Sequence, residues 1–222
     1  MIRHFQREVE KLNRNLLSVC TLVEESVHNS VKAVTERDAE LAQSVIETDD
    51  KVDRLEVELE EECLKILALY QPVAVDLRFI VAVLKINNDL ERIGDLAVNI
   101  AERAVFLASL EGGGVPFDLA GMAKKAKVML RNSLDALVNH DTQLAKTVCE
   151  ADDAVDDDNR RMFDMVKDSI DAGKWNVDAM LHQLSISRHI ERIADLATNI
   201  AEDVIYMVDG DIVRHHIEDY GL

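Results

Sequence analysis

The sequence predicts an all-α protein made of two tandem three-helix bundles, and three observations predict it. Eight glycines and two prolines in 222 residues leave little material for turns, while Ala, Leu, Val and charged residues dominate and aromatics are scarce. Apolar residues recur three and four apart over long runs, the period of a helix with one buried stripe. A stretch is also written twice. Glu91-Arg92-Ile93-Gly94-Asp95-Leu96-Ala97-Val98-Asn99-Ile100-Ala101-Glu102 returns one hundred residues later, from Glu191 to Glu202, with only Gly94/Ala194 and Val98/Thr198 exchanged.

The elements follow in order. Ile2, Phe5, Val9, Leu12, Leu16, Val19 and Val23 form a heptad seam, so a first helix runs from near residue 2 to near Thr35. Asp38 can cap a second. Its seam is Leu41, Val45, Thr48, Val52, Leu55, Leu59, Ile66 and Leu69, with Glu62 in one seam position, and it ends near Tyr70, ahead of Pro72. A third helix begins within Val73 to Asp76, carries the first copy of the repeated stretch and ends near Leu110.

Glu111-Gly112-Gly113-Gly114-Val115-Pro116 is the clearest break in the chain. It divides residues 1–111, the first bundle, from 112–222, the second. A fourth helix spans about Phe117 to Asn139. A fifth starts at Asp141, where Asp141, Leu144, Ala145 and Val148 repeat the spacing of Asp38, Leu41, Ala42 and Val45, and it stops around Asp171 to Gly173. Asn176 or Asp178 caps the sixth, which carries the second copy and ends near Gly210. The tail from Asp211 to Leu222 is left unassigned. Connections this short make neighbouring helices antiparallel. Whether the long heptads pair within the chain or between subunits cannot be read from spacing.

A formal net charge of −18 opposes nucleic acid and anionic membrane as partners and favours cations and basic protein surfaces. Cys20, Cys63 and Cys149 are odd in number, widely spaced and lack metal-ligand patterns, which suits thiols in a reducing compartment. No apolar run approaches the roughly 18 residues of a membrane span. A cytoplasmic protein is expected.

At about 100° per residue, Ile93, Leu96, Ala97 and Ile100 share one side of a helix, and Glu91, Asp95, Asn99 and Glu102 share the other. Ordinary packing would preserve only the apolar side, so the return of the polar residues gives that side a role of its own. On the preceding helix Asp49, Asp53 and Glu56 lie to one side of the seam, and Asp152 with Asp156 repeats the first two. Counting back from each turn brings Asp53 level with Ile93 and Asp156 near Arg192. Each half therefore has two acidic pairs that can meet across facing helices: Asp49 and Asp53 with Glu91 and Asp95, and Asp152 and Asp156 with Glu191 and Asp195.

Clustered carboxylates repel one another unless a metal ion, an arginine such as Arg92 or Arg192, or water intervenes. An all-oxygen set suits Mg²⁺, Mn²⁺ or Fe rather than a closed zinc site. The competing reading is a solvated face of a very acidic protein, and spacing leaves both open. Glu24, Glu25 and His28 stand near the level of Asp49, whereas Lys124, Lys125 and Lys127 occupy the comparable stretch of the fourth helix. Tighter metal binding by the first half is expected on that ground.

An enzyme is not expected. A ferritin-type di-iron enzyme needs Glu-x-x-His on two helices, which this chain lacks, and there is no phosphate-binding loop or paired nucleophile. His189 reads as a packing or surface histidine. Trp175 reads as packing at a helix turn, and Met122, Met129, Met162, Met165 and Met180 as core filler. A carboxylate-bridged metalloenzyme and a metal-free helical dimerisation scaffold remain the alternatives.

Pro72-Val73-Ala74-x-Asp76-Leu77-Arg78, the run from Asp89 to Asp95 and the run from Ile190 to Glu202 resemble the PhoU family, regulators of phosphate uptake and phosphate-responsive signalling in prokaryotes. The resemblance covers essentially the whole chain. It implies a cytoplasmic, dimeric, non-enzymatic adaptor between the ATPase subunit of the phosphate ABC transporter and a phosphate-sensing histidine kinase, dampening uptake when phosphate is plentiful. It also implies metal, iron or zinc in some members, on the Asp49/Asp53, Glu91/Asp95, Asp152/Asp156 and Glu191/Asp195 pairs. The ions carried forward are Fe, Zn, Mn or Mg, with no organic cofactor. The lysines of the fourth helix depart from this pattern and set full loading of the second half in doubt.

Overall fold

A computed structural model describes residues 2–110, 117–173 and 175–211. Its elements are α1 (Ile2–Glu36), α2 (Ala39–Tyr70), α3 (Val75–Ser109), α4 (Leu119–Asn139), α5 (Thr142–Ala151), α6 (Asp153–Ala172) and α7 (Val177–Asp209), with no strand among the described residues. The protein is all-α. The expected boundary at 111–112 and the tail beyond Asp211 lie outside the described residues.

Short polar side chains start α2, α4, α5 and α7. Asp38 accepts from Leu41 N at 2.9 Å, Asp118 from Gly121 N at 2.8 Å, Asp141 from Gln143 N and Leu144 N at 3.0 Å, and Asn176 from Ala179 N at 3.1 Å. Each satisfies a backbone donor that the first helical turn leaves unpaired. Asn176, not Asp178, is thus the cap of α7. Positive-φ residues end five helices: Arg37 (φ 53°), Gln71 (φ 48°), His140 (φ 53°), Gly173 (φ 60°) and Gly210 (φ 85°).

The element read from sequence as one helix from Asp141 is divided at Asp152 into α5 and α6. The backbone there stays right-handed (φ −62°, ψ −46°). Both Val155 N and Asp156 N donate to Asp152 O, at 2.9 and 3.2 Å, so the turn tightens locally instead of the chain changing direction sharply.

Two sets of helices pack side by side, α1–α3 and α4–α7, and α3 lies antiparallel against α7 between them. One apolar cluster runs through both sets. Leu12, Leu16, Val19 and Val23 of α1 and Val52, Leu59 and Ile66 of α2 are buried within the single chain, so the heptad seams are intrachain. Glu62, the exception in the α2 seam, is held at its edge by Lys11 and by Asn15, whose Nδ2 donates at 2.9 Å. A smaller cluster of Met162, Val166 and Met180 closes the far end of the second set. Cys20, Cys63 and Cys149 are all buried free thiols, with burial pushing each up to about 12.

Replacing the fully buried Leu90 with Ala is expected to destabilise the fold by about 2–5 kcal/mol through lost transfer energy and a residual cavity. Urea unfolding followed by helical circular dichroism reads this directly, and a change below about 1 kcal/mol would show that α3 is not the central element of the core.

Candidate metal centres

The repeated stretches fold alike. From Glu91 to Ile100 and from Glu191 to Ile200, burial follows the same pattern position by position, with Ile93, Leu96, Ala97 and Ile100 and their counterparts inside. Arg92, Asp95, Arg192 and Asp195 are exposed, and Glu91 and Glu191 half-buried. Asn99 donates back to Asp95 O at 2.8 Å, so it braces the helix and does not face the acids.

Helix register is set by buried contacts near each set. Asn87 Nδ2 donates to Glu56 O at 2.9 Å between α2 and α3, and Ser187 Oγ donates to Asn159 Oδ1 at 2.9 Å between α6 and α7. These contacts bring the predicted pairs level. Asp49 is raised to about 6, by burial first and then by Asp53, Asp95 and Asp50. Glu91 is raised by burial, Asp95, Glu56, Asp53 and Asp49, and Glu56 by burial, Glu60 and Asp53. In the second half Asp152 is raised to about 6 by burial, Asp195, Asp156, Asp153 and Glu191. Glu191 and Asp195 are raised as well. All eight predicted acids thus fall into two sets of four, and Glu56 joins the first.

Asp152, Asp156 and Asp195 come closest, with one oxygen of each within 4.8 Å of the others. Oxygens bound to one hard cation at about 2.0–2.6 Å lie within about 4–5 Å of each other, so the spacing fits such an ion. Asp152 Oδ1 is buried without a hydrogen-bond partner, a cost that a cation would remove. The donors are all oxygen, which suits Mg, Mn or Fe better than a closed zinc site.

The surroundings differ from expectation. Lys125 turns from the acids to Asp158 Oδ2 at 2.8 Å and Ala154 O at 3.2 Å. Lys124, Lys127 and Arg131 of α4 share a groove with Glu24, Glu25 and His28 of α1, and Lys127 contacts the His28 ring. The residues expected to favour the first site and weaken the second instead meet each other, because α1 and α4 face one another. Arginines supply a different asymmetry. Arg92 pairs with Asp89 at 3.5 Å, whereas Arg160 pairs with Asp156 at 3.4 Å, and Arg188 and Arg192 offset part of the rise in Glu191 that burial, Asp195 and Asp156 cause. Protein charge therefore offsets the second set more than the first.

His189 is half-buried beside Ser185, 3.2 Å from its hydroxyl, and is lowered to about 4 by burial and by Arg103, Arg192 and Arg188. Met122, Met129, Met162 and Met180 are buried, and Met165 is half-buried. Arg103, Ser185 and Arg188 stand where the two copies differ, opposite Asp203, Lys85 and Asn88, so the repeated spacing does not single them out and only the divergence between the copies marks them.

The PhoU domain model matches residues 16–104 and again 119–204. A phosphate-specific transport system accessory protein PhoU homolog of Aquifex aeolicus is 38% identical over 216 residues, covering 97% of this chain and 98% of that protein. One from Pseudomonas aeruginosa is 37% identical over 96% of this chain and 88% of its own. The crystal structure of PhoU from Pseudomonas aeruginosa superposes with a TM-score of 0.90 at 36% identity, covering 93% of this chain and 100% of that one. The phosphate transport system regulatory protein PhoU from Streptococcus pneumoniae gives 0.84 at 27% identity, covering 94% and 99%.

The sign of the pH dependence follows from the raised acids. A folded-state value near 6 against 3.8 unfolded means that the folded chain binds more protons between those values. Stability from Asp49 and Asp152 is fully present below the unfolded value and is lost as pH rises through about 6. His189, lowered to about 4, acts in the opposite direction over the same range, so the acids are isolated by comparing proteins: chelator-treated Asp49→Asn with Asp152→Asn should gain melting temperature over the parent more at pH 7.5 than at pH 5.5. A gain that does not grow with pH would contradict the packing of these acids.

Proposed function

This chain belongs to the PhoU family, and on that premise we propose that it regulates phosphate uptake as an accessory protein of the phosphate transport system. The relatives are named as accessory and regulatory proteins, not as enzymes. The chain acts by binding. It couples the ATPase subunit of the phosphate ABC transporter to the phosphate-sensing histidine kinase, dampens uptake when phosphate is plentiful, and works as a cytoplasmic homodimer. No helix among the described residues is long and apolar enough to cross a membrane.

The observation that carries the mechanism is the double acidic set, formed by one spacing on two copies of one helix pair. Left alone, each set repels its own members and any acidic partner. A hard cation held by Asp49, Asp53, Glu91 and Asp95, or by Asp152, Asp156, Glu191 and Asp195, would replace that repulsion with positive charge at a fixed place. An acidic partner surface would then meet attraction in place of repulsion. The acids open onto the surface and not into the bundle core, which supports docking over buried oxidative chemistry. The resemblance implies iron or zinc in some members, and the oxygen donors here also suit Mn or Mg.

Affinity for the purified transporter ATPase tests the docking step. Changing Glu91 and Asp95 to Ala should weaken binding at least about tenfold, roughly 1.4 kcal/mol, while leaving helical content unchanged. Undiminished affinity would remove this surface from the mechanism.

A further inference from the structure

The contacts between α3 and α7 are one pair of positions used twice with the copies exchanged. Lys85 meets Asp203, Nζ to Oδ1 at 3.1 Å, and one hundred residues on, Ser185 meets Arg103, Oγ to Nε at 3.1 Å. The antiparallel pair thus has two equivalent grooves, and their charges have diverged.

In the first groove cations and acids match. Lys85, Asn88, Asp89 and Arg92 of α3 face Asn199 and Glu202 of α7. Lys85 is paired with the buried Asp203, and Arg92 with Asp89. In the second, Asp89 is replaced by His189, Asn88 by Arg188, Lys85 by Ser185 and Asp203 by Arg103, while Arg92 remains as Arg192. This groove, a cavity of about 280 Å³, is lined by Leu181, Leu184, Ser185, Arg188, His189 and Arg192, and no carboxylate lines it. Glu102 is engaged by Arg103 at 2.9 Å. Among the described residues, Arg188 and Arg192 are exposed and donate no hydrogen bond within the chain. Arg103 donates to Ser185 Oγ and Asn99 O, which fixes a third guanidinium behind them.

Arg103 is ion-paired with Glu102, whereas Arg188 and Arg192, although near enough to act on Glu191, make no salt bridge among the described residues, unlike Lys85 and Arg92 in the duplicate groove. A negative ligand would pair with them. Arginine's planar fork matches the oxygens of a tetrahedral oxyanion, and a partly enclosed wall strengthens each charged hydrogen bond. We propose that the groove between Ser185, Arg188, His189 and Arg192, backed by Arg103, is a binding site for a small oxyanion of the phosphate type. The site goes beyond the regulatory reading and stands on this geometry alone.

Isothermal titration of the full chain with inorganic phosphate, with and without a chelator, is the test. Binding should persist in chelator and be halved or better displaced by equimolar sulfate. It should weaken about tenfold or more in Arg188→Ala and Arg192→Ala and be unchanged in Arg92→Ala, its counterpart in the other groove. Arg188 and Arg192 are exposed, so both variants should retain the parent's helical content. No heat at millimolar phosphate would overturn the proposal. So would equal loss in Arg92→Ala, or binding that survives Arg188→Ala but disappears with chelator, since that would place the anion on a metal.

Discussion

Which carboxylates meet is decided by the register of one long helix against its antiparallel neighbour, and nothing else in the molecule brings those charges together. That register comes from the apolar seams, from Asn87 on Glu56 O and Ser187 on Asn159, and from the turn at Gln71 to Ala74, where two non-glycine residues hold positive φ. Apolar burial at about 25 cal/mol per Å² acts over the whole length of α3 and α7, whereas the repulsion among half-exposed acids is local and screened. The fold therefore tolerates the acids, and a cation would convert their repulsion into attraction.

The same duplicated core carries two different surfaces. Where the copies kept identical residues, the acids recur with the same burial. Where they diverged, at Lys85/Ser185, Asn88/Arg188, Asp89/His189 and Arg103/Asp203, one groove became internally neutralised and its twin strongly basic. Acidic set and basic groove then lie on adjacent faces of α7, so a cation and an anion could be held within one short stretch of helix.

Much of this was legible in the sequence because its signals are local. Caps such as Asp38, Asp141 and Asn176 fix helix starts by one hydrogen bond, and seams such as Leu12, Leu16 and Val19 fix the buried face. Counting back from the turn near residue 73 brings Asp53 level with Ile93, between Glu91 and Asp95, since two antiparallel helices joined by a tight turn have one register. What the sequence hid depends on how helices from different halves face each other. His28 and Glu24 were expected beside Asp49, but α1 turns them towards Lys127 of α4. The contact of Arg103 with Ser185 joins residues far apart in sequence, and no periodicity announces it. The tightened turn at Asp152 belongs to a helix whose pattern gives no breaker residue.

The measurement that most directly tests the central claim is metal content by elemental analysis of the untagged chain. It would be made beside one variant with Asp53, Glu91 and Asp95 changed to Ala and another with Asp152, Asp156 and Asp195 changed to Ala. The account predicts stoichiometric iron, zinc, manganese or magnesium in the parent, with each variant losing the share held by its own half. Parent protein free of metal after growth and dialysis in metal-supplemented medium, or content unchanged in both variants, would make the acidic sets solvated faces and contradict the account.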